Sequence, residues 1–99
     1  IDAGVLVNIS ESNINELIQS LKDKEFTNVR KWIVNNLDND PVRIFRRIYD
    51  SLYDNLDGST IPHAVVILAE YQYKSAFVSD QEINLLACMT ELMGQVKFK

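Results

Sequence analysis

Glycine and proline are scarce in this chain of 99 residues, with three of the first and two of the second. So few breakers favour long helices over many short strands. Cysteine occurs once, at Cys88, which rules out an intramolecular disulfide and suits a reducing compartment. With one histidine, His63, beside that one cysteine, the usual structural zinc site cannot be built. No apolar run approaches the ~18 residues that cross a bilayer; the longest is Ala64 to Ala69. The first residues lack a basic stretch followed by an apolar one, so no signal peptide is read. These absences lead to the expectation of a cytoplasmic protein with no membrane partner. Phosphate-binding loops are missing too: Gly4, Gly58 and Gly94 stand alone, with no GxxxxGK[ST] and no GxGxxG. No cofactor is therefore expected on this chain.

What is present is ordinary for a globular protein: 46% hydrophobic and 24% charged residues. The length suits one domain able to bury a core. A net charge of −4 argues against a general polyanion binder. The chain opens on Ile1 rather than Met, which gives the expectation of a piece of a longer protein.

Apolar periodicity predicts five helices, at about 13–22, 26–37, 41–56, 62–75 and 80–95, hence an all-α, five-helix bundle-like domain. Before them, Val5 to Ile9 reads as an extended lead-in. In the first helix Ile14, Leu17, Ile18 and Leu21 share a face, and Ser12 or Asn13 can cap its start. The second carries Phe26, Val29, Ile33 and Leu37 as a stripe, with Trp32 beside it. The third starts on Asp40-Pro41, a cap followed by proline at the first helical position. Val42, Phe45, Ile48, Tyr49, Leu52 and Leu56 are expected on its buried side. The fourth, from Pro62, is apolar all round over Ala64 to Ala69, which predicts burial on more than one face. The fifth opens on Ser79-Asp80-Gln81-Glu82, a capping box with Ser79 as the cap. Two stripes follow: Ile83, Leu86, Ala87, Thr90 and Met93, and Leu85, Met89, Leu92 and Val96. One would suffice for a small bundle, so the second predicts a partner surface.

Few residues suggest chemistry. Asp38, Asn39 and Asp40 are the only loop oxygens close enough to hold a cation, and they read better as a helix stop and the next cap. His63 belongs in a first helical turn and Cys88 among apolar neighbours, so a catalytic pair is not expected, although a small hydrolase would require the two to meet. Charge divides along the chain. Five bases face two acids between Arg30 and Arg47, whereas seven acids face one base between Ile48 and Val96. Opposite regions of this kind let copies stack head to tail. Arg43 and Arg47 fall on one helix face, and Arg46 can pair with Asp50 four residues on. Phosphate contact is the other use of this cluster. Tyr71 and Tyr73 are amphipathic rings of the kind found at interfaces.

The order of these motifs resembles the C-terminal collar domain of the sliding-clamp-loader ATPase subunits of T-even-type bacteriophages. Ile1-Asp2-Ala3-Gly4-Val5-Leu6 is similar to the segment entering that collar. Ile14 to Phe26, with Leu17, Ser20-Leu21-Lys22 and Lys24-Glu25-Phe26, is similar to its first helix and turn. Val29-Arg30, Ile61-Pro62, Glu70-Tyr71-Gln72-Tyr73, Glu82-Ile83-Asn84-Leu85 and Ala87-Cys88 fit the later helices. Lys31 to Ser59 departs most, and no roles are transferred there. Cellular replication factor C subunits follow a looser version of the plan.

The resemblance implies an AAA+ module upstream, which would bind ATP with magnesium and make most of the DNA contacts. It implies a five-membered ring, sealed by collars, that loads a sliding clamp onto primer–template DNA. Partners would be the other loader subunits, the clamp and the DNA. The collar itself would be an oligomerisation domain, not an enzyme. A ring of similar parts needs two different surfaces on each copy. Leu85, Met89 and Leu92 with Tyr71 and Tyr73 are expected on one, and Arg43, Arg46 and Arg47 on the other. The competing reading is a stand-alone helical adaptor that takes a partner helix or peptide in a groove.

Overall fold

The structure, a computed structural model, describes residues 10–99. The Val5–Ile9 lead-in and the Ile1–Leu6 likeness lie outside the described residues. Five α-helices run in order among those described: α1 Glu11–Lys22, α2 Phe26–Asn35, α3 Pro41–Asn55, α4 Ile61–Ser75 and α5 Gln81–Gln95. The all-α architecture expected from periodicity is what forms. A short 3-10 turn, Gly58–Thr60, leads into α4.

Caps set the helix starts. Ser10, not Ser12 or Asn13, caps α1: its hydroxyl accepts from the Asn13 backbone N–H at 3.1 Å. Asp40 caps α3 as expected, accepting from Val42 N–H at 3.0 Å with Pro41 in the first turn. At α5 the cap is Asp80 rather than Ser79; its carboxylate accepts from Ile83 N–H. An aspartate one residue nearer the helix meets the third amide directly and supplies negative charge at the positive helix end. The turn after α1 places Lys24 in the left-handed region, φ 57°. There Glu25 N–H reaches back to Ser20 O at 2.9 Å, closing the helix.

The core is built where the stripes converge. α1 contributes Ile14, Leu17, Ile18 and Leu21, as read. On α2 the buried residues are Val29, Trp32 and Ile33, while Phe26 and Leu37 fall outside. On α3, Val42, expected inside, is exposed, and Ile44, not among the residues expected there, is buried. The buried face of Ile44, Phe45, Ile48 and Leu52 is centred about 105° from Val42, at 100° per residue, so Val42 falls outside it. α4 buries Ala64, Ile67 and Leu68 and leaves Val66 and Ala69 exposed, so only one of its faces is covered. It sits at the edge of the bundle, against α3 and α5. α5 is central. It packs on α4, α2 and α1 and buries Leu85, Cys88, Met89, Leu92 and Met93.

Asn13, Trp32 and Asn36 pair their polar groups with one another. Trp32 Nε1 donates to Asn13 O at 2.9 Å and to its Oδ1 at 3.0 Å. Asn13 Nδ2 donates to Asn36 Oδ1 at 2.9 Å, and Asn36 Nδ2 donates to Trp32 O at 2.7 Å. This satisfies one of the last carbonyls of α2 and ties its end to the start of α1. After α5 the chain turns back, and Phe98 forms an antiparallel bridge with Leu56. Asp57 N–H donates to Lys97 O at 2.8 Å and Lys99 N–H to Asn55 O at 2.9 Å, fastening the last residues to the end of α3.

A candidate assembly surface

α5 does not present the expected surface. Leu85, Met89 and Leu92, read as an outer stripe, are fully buried inside one copy. A helix packed by three others has no outward apolar face at those positions. Of the companion stripe, Ile83 and Thr90 are exposed and Leu86 and Ala87 half-buried. Periodicity identified two stripes and could not say which pointed inward.

The two tyrosines also separate. They are two residues apart on α4, about 200° around the helix, so they face opposite ways. Tyr71 turns in: its hydroxyl donates to Glu91 Oε1 at 2.7 Å, and Lys74 Nζ lies 4.9 Å from its ring centre. The Glu91 hydrogen bond, then burial, then neighbouring negative charge push the phenol up to about 12. Tyr73 turns out, 71% exposed, with its ring 5.1 Å from that of Phe77, which is equally exposed.

These rings wall a groove of about 700 Å³ between the start of α3 and the end of α4. Asp40 and Val42 line it from α3 and the residue before it, and Ala69 and Ala76 line it from α4 and its end. Pro62, Val66, Ala69 and Tyr73 follow at helical spacing, so α4 carries an apolar strip leading to the groove. Gln81 also lines it, donating through Nε2 to Ser75 O at 2.8 Å, while its buried Oε1 has no partner. The sequence signal was available: a helix apolar all round needs either two neighbours or an exposed face.

The arginines do not make one patch. Arg46 pairs with Asp50 at 3.1 Å, as its spacing predicted, and stacks over Tyr49 at 5.1 Å. Arg47 is half-buried in a cleft between α1 and α3 near Glu11, Asp50 and Asp54, its Nε enclosed without an acceptor. Arg43 is exposed on the outer side of α3. Charge that looked divided along the chain is partly joined in space, since Arg30 on α2 meets Glu82 on α5 at 3.3 Å.

Cys88 is sealed in the core, where burial chiefly, with Glu91 adding, pushes its thiol far above the ordinary range. His63 is exposed in the first turn of α4. Asp40 is spent on a cap, and Asn39 donates to Asn36 O at 3.3 Å. No cluster of three or more metal-ligating side chains occurs among the described residues. Nor does any helix among them have the length and apolarity to cross a membrane. No family model matches this chain, and the search of curated proteins returned no significant match.

Proposed function

We propose that this chain is an assembly domain, the collar of a sliding-clamp-loader subunit. In that role it holds a ring of subunits together while upstream AAA+ modules use ATP to place the clamp on primer–template DNA. The observation that carries the assembly reading is the groove walled by Val42, Tyr73 and Phe77, all three exposed. Two aromatic rings, each about seven-tenths exposed, offer on the order of 300 Å² of contact area, a large share of the apolar patch a monomer usually shows. Tyrosine and phenylalanine of this kind are enriched at interface cores, where charged residues are depleted. The clamp-loader part rests on the order of motifs, from Ile14–Phe26 to Ala87-Cys88.

The test is to delete this domain from the whole subunit. The ring should disperse by native mass spectrometry while nucleotide binding by the upstream module survives. A ring that persists without the domain refutes the proposal.

The groove also favours a second reading, an adaptor that receives a helix from an unrelated protein. Under that reading the deletion leaves subunit assembly unchanged and removes only the partner.

A further inference from the structure

Tyr73 and Phe77 are each 71% exposed and are the one pair of rings in contact among the described residues. Their centres lie 5.1 Å apart, with the planes tilted by 56°. Tyr49 and Tyr71 already carry cations, Arg46 at 5.1 Å and Lys74 at 4.9 Å, whereas no described cation lies over Tyr73 or Phe77. The groove that these rings wall has one charged residue in its lining, Asp40, and no cation. The cap of α3 uses Asp40 Oδ1, and the carboxylate forms no ion pair among the described residues. Lys74, next in sequence to the lining Ser75, is paired with Glu70 at 3.1 Å. Gln81 adds an Oε1 that no donor meets, so the negative end of an amide dipole is set in the same wall.

Exposed ring faces, a carboxylate and an unmet carbonyl oxygen around an apolar groove complement a cation on an apolar stem. Guanidinium suits them better than ammonium, because it is planar, stacks on rings and is more weakly hydrated. Pro62, Val66, Ala69 and Tyr73 lead to the groove along α4, with Val66 62% exposed, so an aliphatic side chain beside the cation is favoured as well. This chain has four arginines, and none stands ready for the role. Arg30 pairs with Glu82 and Arg46 with Asp50, Arg47 is sunk in the α1–α3 cleft, and Arg43 is engaged too. We propose that the groove receives an arginine side chain from a protein of another sequence, carried beside an aliphatic residue, with its guanidinium on Tyr73 and Phe77 and near Asp40. This rests on the assembly reading in taking the groove as a contact surface, and adds the chemistry of what enters it.

The probe is an acetylated, amidated peptide with one arginine between leucines, titrated to millimolar concentration and followed by the backbone amide NMR shifts of this chain. Shifts should centre on Val42, Tyr73 and Phe77. Citrulline in place of arginine keeps the shape and loses the charge, and that peptide should bind at least about fivefold more weakly. A lysine peptide should fall between the two. Tyr73→Leu with Phe77→Leu keeps an apolar wall without rings, and circular dichroism checks that it stays helical. This variant should bind the arginine and citrulline peptides alike. Asp40→Asn, which keeps the cap, should weaken the arginine peptide and remove the salt dependence of its binding. Equal binding of the arginine and citrulline peptides by the unmodified chain, or no shifts in the groove, overturns the arginine assignment. Self-association of the unmodified chain in sedimentation velocity, abolished in the double variant, would give the groove to a second copy and overturn it as well. None of these results decides the domain-deletion test, so the assembly reading stands or falls separately.

Discussion

Replacing Asn36 by alanine should cost this domain about 2 kcal/mol, the loss of two side-chain hydrogen bonds at about 1 kcal/mol each. Asn36 is only 7% exposed. Its Oδ1 accepts from Asn13, and its Nδ2 donates at 2.7 Å to the Trp32 carbonyl, which α2 cannot satisfy from within. Alanine leaves that carbonyl without its donor. Asn13 is half-buried, and water can partly replace its lost acceptor, so the cost does not rise much beyond this figure. A loss of about 2 kcal/mol lowers the melting temperature of a domain this size by about 10 °C. With a urea slope of about 1.5 kcal/mol per molar, the midpoint falls by about 1.3 M. Unfolding can be followed by far-UV circular dichroism and by fluorescence of Trp32, the single tryptophan. Asn35→Ala, on the exposed side of the same turn, is the control and should change stability by less than about 0.5 kcal/mol. If the two substitutions prove equal, the network is decoration and the reasoning fails.

Three other outcomes follow from the geometry. Asp80→Ala should cost about 1 kcal/mol and Ser79→Ala almost nothing, in urea midpoints; the reverse order would restore the capping box. Lys24→Gly should stabilise the domain by up to about 1 kcal/mol, because glycine takes the left-handed conformation without a Cβ clash; a loss of stability by the same assay would contradict this. Tyr71, raised to about 12 in the folded chain against an ordinary value near 10, binds its proton more tightly when folded. The stability it supplies is therefore complete below about pH 10 and is lost as pH rises towards 12. Tyr71→Phe should be the less stable form at pH 8, and the difference should shrink by pH 11.5, whereas a constant difference would show that the phenol proton plays no part.

The sequence alone determined the helices, because their signals are local. Asp40-Pro41 set the start of α3, and the spacing of Ile14, Leu17, Ile18 and Leu21 set the inner face of α1. Arg46–Asp50, four residues apart on one helix, was legible for the same reason. What only the tertiary structure decided was which apolar side faces in. Leu85, Met89 and Leu92 are buried because α5 is surrounded by α1, α2 and α4, and no periodicity within α5 records how many neighbours it has. Val66, Tyr73 and Phe77 stay outside because α4 lies at an edge. The Asn13–Trp32–Asn36 network and the bridge from Phe98 to Leu56 join residues distant in sequence, so they exist only once the chain has closed. Local propensity is a property of neighbouring residues, whereas burial belongs to the whole packing, and the candidate surface was settled by the second.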